Sequence, residues 1–422
     1  MKDRNKNERE HAVDIILKIT EDKSYNNLAL KDVFIKNSGL SNMQKNFITE
    51  VVNGTLRHLI YIDYILNCFS NIKTEKMKPV ILSILRTAVY QIKFMDKTPA
   101  YAVCDEAAKL ARKRGFGLTG FVNGVLRAVV RKAHSISPTD VSIIYSFPEW
   151  LVNYWLDSYD NETVEKICAS LNKRPETSVC VNTLKTNAGS FLAKLENIGV
   201  SASKGELSQN ALYVSGMSDI TKNVYYNDGL FNIMGEASMK AVEILDPAPG
   251  SFLIDVCAAP GGKSLYAAML MKNKGEILSC DIYGHKLKFI EKSSARLGIS
   301  IIKTGLKDAC EAEYPPADYI IIDAPCSGFG LIRKKPDIKY TRALPDIASL
   351  VILQKKIISN VSRYLKKGGI LVYSTCTISK EENEGIAEWF TLNFSFKLLE
   401  SIEILPYIYN TDGFYIAKFS RL

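Results

Sequence analysis

Ser251-Phe-Leu-Ile-Asp-Val-Cys-Ala-Ala-Pro-Gly-Gly-Lys-Ser264, followed by the helical pattern from Leu265 to Met271, reads as a strand, a glycine turn and a helix. Gly261 and Gly262 have no Cβ, so the backbone there can bend sharply and admit a ligand to the first amides of the helix, which favour negative charge. A nucleotide-like cofactor fits such a turn, and so does a tight connection that holds nothing. The glycine spacing ahead of Lys263-Ser264 is wrong for the phosphate loop G-x-x-x-x-G-K-[ST], and the turn is not G-x-G-x-x-G.

Working outward, Gly275-Glu-Ile-Leu-Ser-Cys-Asp281 predicts a second strand ending in a carboxylate, where an open α/β sheet usually holds a ribose diol. Asp308 follows a third strand-like run, Ile299 to Thr304, and Asp323 closes a fourth, Ala317 to Ile322. One acidic residue at a strand end is more often a helix cap. Three of them at regular βα intervals after a glycine turn point instead to a ligand.

Two cysteines stand just past strand-like runs, in Asp323-Ala-Pro-Cys-Ser-Gly328 and in Ser374-Thr-Cys-Thr377, which follows Gly369-Ile-Leu-Val-Tyr373. A helix-length stretch separates the runs, so they predict neighbouring parallel strands with both thiols facing one crevice. That placement suggests a thiol performing covalent chemistry, against the alternative of a small buried hydrophobe.

These motifs resemble the S-adenosylmethionine-dependent RNA cytosine-C5 methyltransferases, in particular the bacterial Sun/Fmu (RsmB) type that acts on 16S ribosomal RNA. The resemblance is carried by Asp255 to Lys263, Asp281, Asp308-Ala309, Asp323 to Gly330, Arg333-Lys-Lys-Pro-Asp-Ile338, Ser374 to Thr377 and Asp412-Gly-Phe-Tyr-Ile-Ala417, in that order along nearly the whole chain. It implies that Cys257, Ala258, Ala259, Pro260, Gly261, Gly262 and Lys263 surround the methionine part of the cofactor, that Asp281 binds the ribose and that Asp308 contacts the adenine. It also implies Cys376 as nucleophile, Cys326 in product release, and Asp323 against the cytosine ring near N3. Two departures stand out. Met234-Gly235-Glu236 precedes Ala237-Ser238 where relatives carry Gln-Asp, and Leu306-Lys307 stands before Asp308 where relatives have a small residue.

Carbon 5 of cytosine is a poor nucleophile until a thiolate adds at carbon 6, which is why such a site needs an activated cysteine and a group that absorbs charge at N3. A free thiol titrates near ~8.5. A cationic sulfonium and Lys263 are expected to lower that value for Cys376, since no histidine lies near either cysteine in the sequence.

The chain has 422 residues, enough for two or three domains, and a net charge of +9. From Met1 to His134 there are 23 Lys+Arg against 13 Asp+Glu, leaving 31 against 32 in the remainder, so the surplus sits in the N-terminal part. Lys73 to Lys78, Arg112-Lys-Arg114, Arg127, Arg131 and Lys132 are candidates for phosphate contact or a solvated helix face. Nine cysteines without C-x-x-C pairs argue against a disulfide framework, and four scattered histidines give no zinc site. Cys68, Cys104, Cys168, Cys180 and Cys280, in apolar surroundings, are expected in the core. No apolar run reaches the ~18 residues of a membrane span, and the start, Met1 to Glu10, lacks the apolar centre of a signal peptide. A cytoplasmic monomer acting on RNA, with neither DNA nor membrane as partner, is expected.

The apolar spacing predicts helices at Val13–Leu17, Phe47–Leu59, Ile62–Phe69, Val80–Phe94, Ala100–Ala111 and Phe121–Val130, with turns at Thr98-Pro99 and Gly115–Gly120. Val52-Asn-Gly-Thr-Leu-Arg57, Pro99-Ala-Tyr-Ala-Val103 and Gly120-Phe-Val-Asn-Gly-Val-Leu-Arg127 are similar to the NusB-type helical domain, which implies RNA binding. The expected order is an all-α NusB-like domain at 1–134, a linker at 135–147, a small α/β RNA-binding subdomain at 148–231, and a doubly wound, Rossmann-like α/β methyltransferase domain at 232–422. In the small subdomain Arg174, Asn182 and Tyr225-Tyr226 are candidates for nucleotide contact or for packing. A single-stranded or loop cytosine is the expected target, because the base must leave its stack. Transfer RNA, another RNA, or a non-catalytic antitermination role remain the alternatives.

Overall fold

The computed structural model describes residues 6–115, 117–217 and 220–422. Residues 1–5 of the stretch read for a leader, and Phe116 in the expected 115–120 turn, lie outside them. The chain forms two compact units, one of residues 6–172 with Ile332–Thr341, the other of Lys173–Leu331 with Arg342–Leu422.

The first unit is helical. Its main helices are Glu8–Asp22, Asn26–Lys36, Asn42–Arg57, Leu59–Phe69, Pro79–Phe94, Ala100–Arg114 and Leu118–Lys132, with shorter ones at Val141–Ile144, Glu149–Leu156 and Asn161–Leu171. The helix at Asn26–Lys36 is absent from the sequence reading. The helices around His58 also differ from expectation. One ends at Arg57 and the next starts at Leu59, where the Ser146 hydroxyl accepts from the amides of Ile60 (2.7 Å) and Tyr61 (3.2 Å). Gly54 lets the Tyr90 ring approach: a Cβ there would lie 1.9 Å from a ring carbon, while the phenol donates to Glu50.

Ile332–Thr341, far along the sequence, belongs to this unit. Lys339 is fully buried, and its ammonium donates to Arg57 O (3.1 Å), Ser146 O (2.9 Å) and Asn172 Oδ1 (2.8 Å) while lying 3.6 Å from the centre of the Phe147 ring. Burial pulls its pKa well down, but three oxygen acceptors and a ring face call for N–H protons and hold the charged form. Asp337 accepts from Asn26 N (3.1 Å), and Arg57 donates to Arg333 O (3.1 Å).

The second unit contains two sheets. The strands in chain order are β1 (Thr177–Val181), β2 (Ser201–Lys204), β3 (Ala211–Ser215), β4 (Phe231–Ile233), β5 (Phe252–Asp255), β6 (Glu276–Asp281), β7 (Ile302–Leu306), β8 (Ala317–Asp323), β9 (Leu365–Thr375), β10 (Phe396–Ile404) and β11 (Phe414–Arg421). The first four form an antiparallel sheet of order β2-β3-β1-β4. The rest form a sheet of order β10-β11-β9-β8-β5-β6-β7, parallel from β5 to β9, with β11 antiparallel to β9.

Helices on both faces make this the doubly wound α/β sheet that the glycine turn and strand spacing predicted. Along the central strands, Leu253, Ile321, Val372 and Ile416 point into one buried layer and Ile254, Ile320, Ile322, Leu371 and Tyr373 into the other. Near-continuous apolar runs follow from that double burial. The third parallel strand begins at Ile302 rather than Ile299, because Gly298 turns with φ +77° and Asn273 holds Ser300 through backbone and hydroxyl bonds. The chain runs from β5 to β7 in one direction and returns to β8 beside β5, so the switch in strand order falls between the glycine turn and Asp323, where open sheets bind ligands.

Candidate active site

Four parallel strands, β5, β6, β8 and β9, end along one edge of the sheet. β5 delivers the turn, and the helix Gly262–Leu270 follows with Gly261 at φ +107°, left-handed, where a Cβ would also stand 2.7 Å from Ile290. Beneath the turn Asp255 is fully buried, its Oδ2 accepting from Ser264 Oγ at 2.6 Å. Ser264 in turn meets Ser279 Oγ at 2.7 Å. Burial raises the Asp255 carboxyl to about 7, and its other oxygen has no hydrogen-bond partner among the described residues.

Asp281 ends β6, almost buried, and accepts from Ala259 N (3.2 Å) and Tyr283 N (2.9 Å), which ties the glycine turn to the next strand. Asp308 is exposed and caps its own turn, its Oδ1 accepting from Cys310 N at 2.8 Å. Between them Ile282 and Leu306 expose apolar side chains, 53 % and 67 % accessible, at adjacent strand ends. In the sequence Leu306 stands out only as a departure from the family pattern, and Ile282 carries no signal. Their shared exposure is a property of the strand ends that no spacing reveals.

Lys263, nearly buried, forms an ion pair with Asp323 (2.7 Å) and lies 5.2 Å from the centre of the Phe414 ring. The charge expected to act on Cys376 is therefore offset locally by a carboxylate. Asp323 lies opposite Ser374 in the β8–β9 register and accepts from Ser374 Oγ at 3.2 Å. From these paired ends the two loops bring Cys326 Sγ and Cys376 Sγ to 3.3 Å, both partly exposed. The contact with Cys376, followed by burial, pushes the Cys326 thiol well above the ordinary range, so Cys326 keeps its proton at neutral pH. Burial likewise raises Cys257 in the turn.

Several residues depart from their expected places. Cys68 is exposed, because it falls on the outer side of the helix Leu59–Phe69, whereas Cys168, Cys180 and Cys280 are buried. Asn182 is fully buried and donates to Gly229 O (2.8 Å) and Leu297 O (2.9 Å), a structural tie rather than a nucleotide contact. Tyr225 and Tyr226 pack on the core of the small sheet, and the Arg296 guanidinium lies 3.7 Å from the centre of the Tyr226 ring. Arg174 is exposed. Glu236, at the first departure from the family pattern, is buried and accepts from Leu207 N, Ser208 N and Tyr213 Oη, so it anchors the β2–β3 connection.

Glu382 escaped the sequence reading altogether. It lies in Lys380-Glu-Glu-Asn-Glu384, where nothing distinguishes the buried carboxylate from its exposed neighbour Glu381.

Three family regions match the chain: the NusB family at residues 6–131, the RsmF/B-like ferredoxin-like domain at 147–221, and 16S rRNA methyltransferase RsmB/F at 242–420. The probable ribosomal RNA small subunit methyltransferase B of Bacillus subtilis (strain 168) is 37 % identical, over 98 % of this chain and 98 % of that protein. Among solved structures, PH0851 is 27 % identical with a TM-score of 0.81 and covers 100 % of both chains. NSun6 from Pyrococcus horikoshii, solved with SFG, is 23 % identical with a TM-score of 0.61, covering 66 % of this chain and 99 % of that one, and shares the fold.

The cofactor is S-adenosylmethionine, and the residues at the turn fit it. The unpartnered Asp255 oxygen suits a cationic ligand, Asp281 a diol, and the exposed Ile282 and Leu306 a flat apolar ring. At 37 % identity to the Bacillus protein over 98 % of both chains, with the NusB and RsmB/F regions in succession, the chain belongs to the ribosomal RNA small subunit methyltransferase B family.

Proposed function

We propose that the chain methylates carbon 5 of a cytosine in 16S ribosomal RNA through a transient bond between Cys376 and carbon 6 of the base. The observation that carries this reading is the pair of sulfurs 3.3 Å apart at neighbouring strand ends, next to the Lys263–Asp323 ion pair. The bound cofactor supplies an electrophilic methyl group. Cys257 to Lys263 surround its methionine part, Asp281 takes the ribose, and Asp308 with Ile282 and Leu306 borders the adenine.

Cys376 adds as a thiolate to carbon 6, forming a C–S bond and shifting the ring electrons so that carbon 5 becomes nucleophilic. Asp323 contacts the ring near N3 and holds the Lys263 ammonium beside it, whose positive charge steadies the negative charge that develops on the ring. Once carbon 5 carries the methyl group, its remaining proton must leave. Cys326, 3.3 Å from Cys376, is placed for that step: it first gives its own proton to solvent, and its thiolate then takes the proton from carbon 5. Removal of the proton restores the ring double bond and expels Cys376.

The work is divided as the charge is. Residues 1–134, carrying the basic surplus, bind RNA phosphates, 148–231 contribute a small RNA-binding subdomain, and 232–422 perform the chemistry on a flipped or single-stranded base in the cytoplasm, as a monomer. No helix among the described residues is long and apolar enough to cross a membrane.

Bisulfite mapping of RNA from a deletion strain complemented with wild type, Cys376→Ala or Cys326→Ala tests the reading. Loss of Cys376 should abolish methylation, while loss of Cys326 should leave protein trapped on RNA. Methylation that survives Cys376→Ala refutes the nucleophile, and a mark on transfer RNA instead of 16S RNA moves the substrate.

A further inference from the structure

Each reactive cysteine is bracketed by residues that one buried dipeptide holds. Glu382, fully buried, accepts through Oε2 from Ser327 N (2.9 Å) and Gln354 Nε2 (2.9 Å), and through Oε1 from Ser327 Oγ (2.5 Å). Gln354 also donates to Pro325 O at 3.0 Å, so the residues on both sides of Cys326 are fixed by the same group. Next in the chain, Asn383 accepts from Thr375 Oγ1 (2.5 Å) and donates to Thr377 O (3.1 Å), on both sides of Cys376. The two brackets are joined by Ser327 Oγ and Thr377 Oγ1, 2.7 Å apart, and Tyr373 Oη holds Glu382 O at 2.7 Å.

We infer that Glu382 and Asn383 are positioning residues that set the separation of the Cys326 and Cys376 sulfurs, an inference that rests on the roles proposed for those cysteines. A buried carboxylate is costly, and apolar side chains could fill the same space. What apolar packing cannot supply is direction: five oriented hydrogen bonds fix two loops that leave adjacent strands independently. Neither residue needs to touch RNA or cofactor. Burial raises the Glu382 carboxyl and the bonds from Ser327 and Gln354 oppose that rise, as for a carboxylate whose partners are already in place.

Glu382→Gln separates shape from charge. Its amide oxygen can keep the Ser327 N and Gln354 bonds, and its NH2 can donate to Ser327 Oγ, whose own hydrogen then turns to Thr377. Glu382→Ala breaks the bracket around Cys326 and leaves Asn383 to hold Cys376 alone. Single-turnover and steady-state methylation of a 16S RNA transcript should show kcat falling on the order of 10²-fold for Glu382→Ala, with KM for RNA within about threefold and Glu382→Gln within about fivefold of wild type. Phenylarsine oxide, which bridges two close thiols, reports the spacing directly and should react about tenfold more slowly with the alanine variant. Ser327→Ala, which removes the link between the loops without emptying the core, should move both readouts the same way and arbitrates if Glu382→Ala does not fold.

Alanine variants with kcat and arsenical uptake within about threefold of wild type would overturn the inference, as would a glutamine variant as impaired as the alanine one. Activity that persists in Cys376→Ala would instead sink the proposed chemistry, and the arsenical rates would still decide whether Glu382 sets the spacing.

Discussion

Replacing Asp255 by Asn should make the cofactor-free protein more stable at pH 8 and leave it near wild type at pH 5. Burial raises this carboxyl from 3.8 to about 7. Between those values the native state binds a proton that the unfolded chain has released, so stability falls as pH rises through the window and is flat above it. Each pH unit of the window is worth ~1.4 kcal/mol, so holding this carboxyl buried costs about 4 kcal/mol at pH 8, where it is ionised, and under about 2 at pH 5, where it is protonated.

The Asn side chain keeps the acceptor for Ser264 but places an NH2 where the unpartnered oxygen stands, at a cost of ~1–2 kcal/mol. The net is a gain of about 2 kcal/mol at pH 8 and close to none at pH 5. Urea unfolding of both proteins at the two pH values measures the difference, in which other titrating groups cancel. The cofactor is left out because a cation beside the carboxylate favours its charged form. If Asp255→Asn destabilises by the same amount at both pH values, the argument is refuted, because the carboxyl would then ionise as it does in the unfolded chain.

Lys339→Met should strand the carbonyls of Arg57 and Ser146 and the Asn172 amide oxygen, destabilising the helical unit by about 3 kcal/mol once relief of the buried charge is allowed for. Hydrogen exchange should show lost protection at residues 332–341 and 57–60, with the β5–β9 amides unchanged. Arg127 and Arg131 line one groove with the exposed Tyr101. Replacing both arginines by Ala should weaken RNA binding and flatten the slope of log K against log salt by about 1.4 if the contacted strand is single. An unaltered slope moves the phosphate contacts elsewhere.

Much of the catalytic unit was legible because its signals are local. Leu253 to Gly262 read as strand and turn since an apolar run and paired glycines need no distant partner to be recognised. The same holds for the run ahead of each cysteine, and a helix-length stretch between two such runs favours a parallel crossover. The first and last helices of the N-terminal region were legible from 3.6-residue spacing. Asn26–Lys36 was not, because only Asn26, Ala29 and Leu30 of that helix are buried and its apolar stripe is correspondingly short. The break at His58 depends on a hydroxyl from Ser146, 86 residues away from Ile60.

What the amino-acid order determined by itself was the kind of chemistry available: thiols, carboxylates and a glycine turn at strand ends, with positive charge gathered before residue 134. Tertiary structure decided which of those groups meet. The 3.3 Å between two sulfurs, the pairing of Lys263 with Asp323, the burial of Glu382 beside an exposed Glu381, and the seating of Lys339 among helical-unit carbonyls all join residues distant in sequence. Burial and hydrogen-bond partnership are properties of the packed chain, and a charged side chain carries no local mark of whether water or a buried donor will surround it.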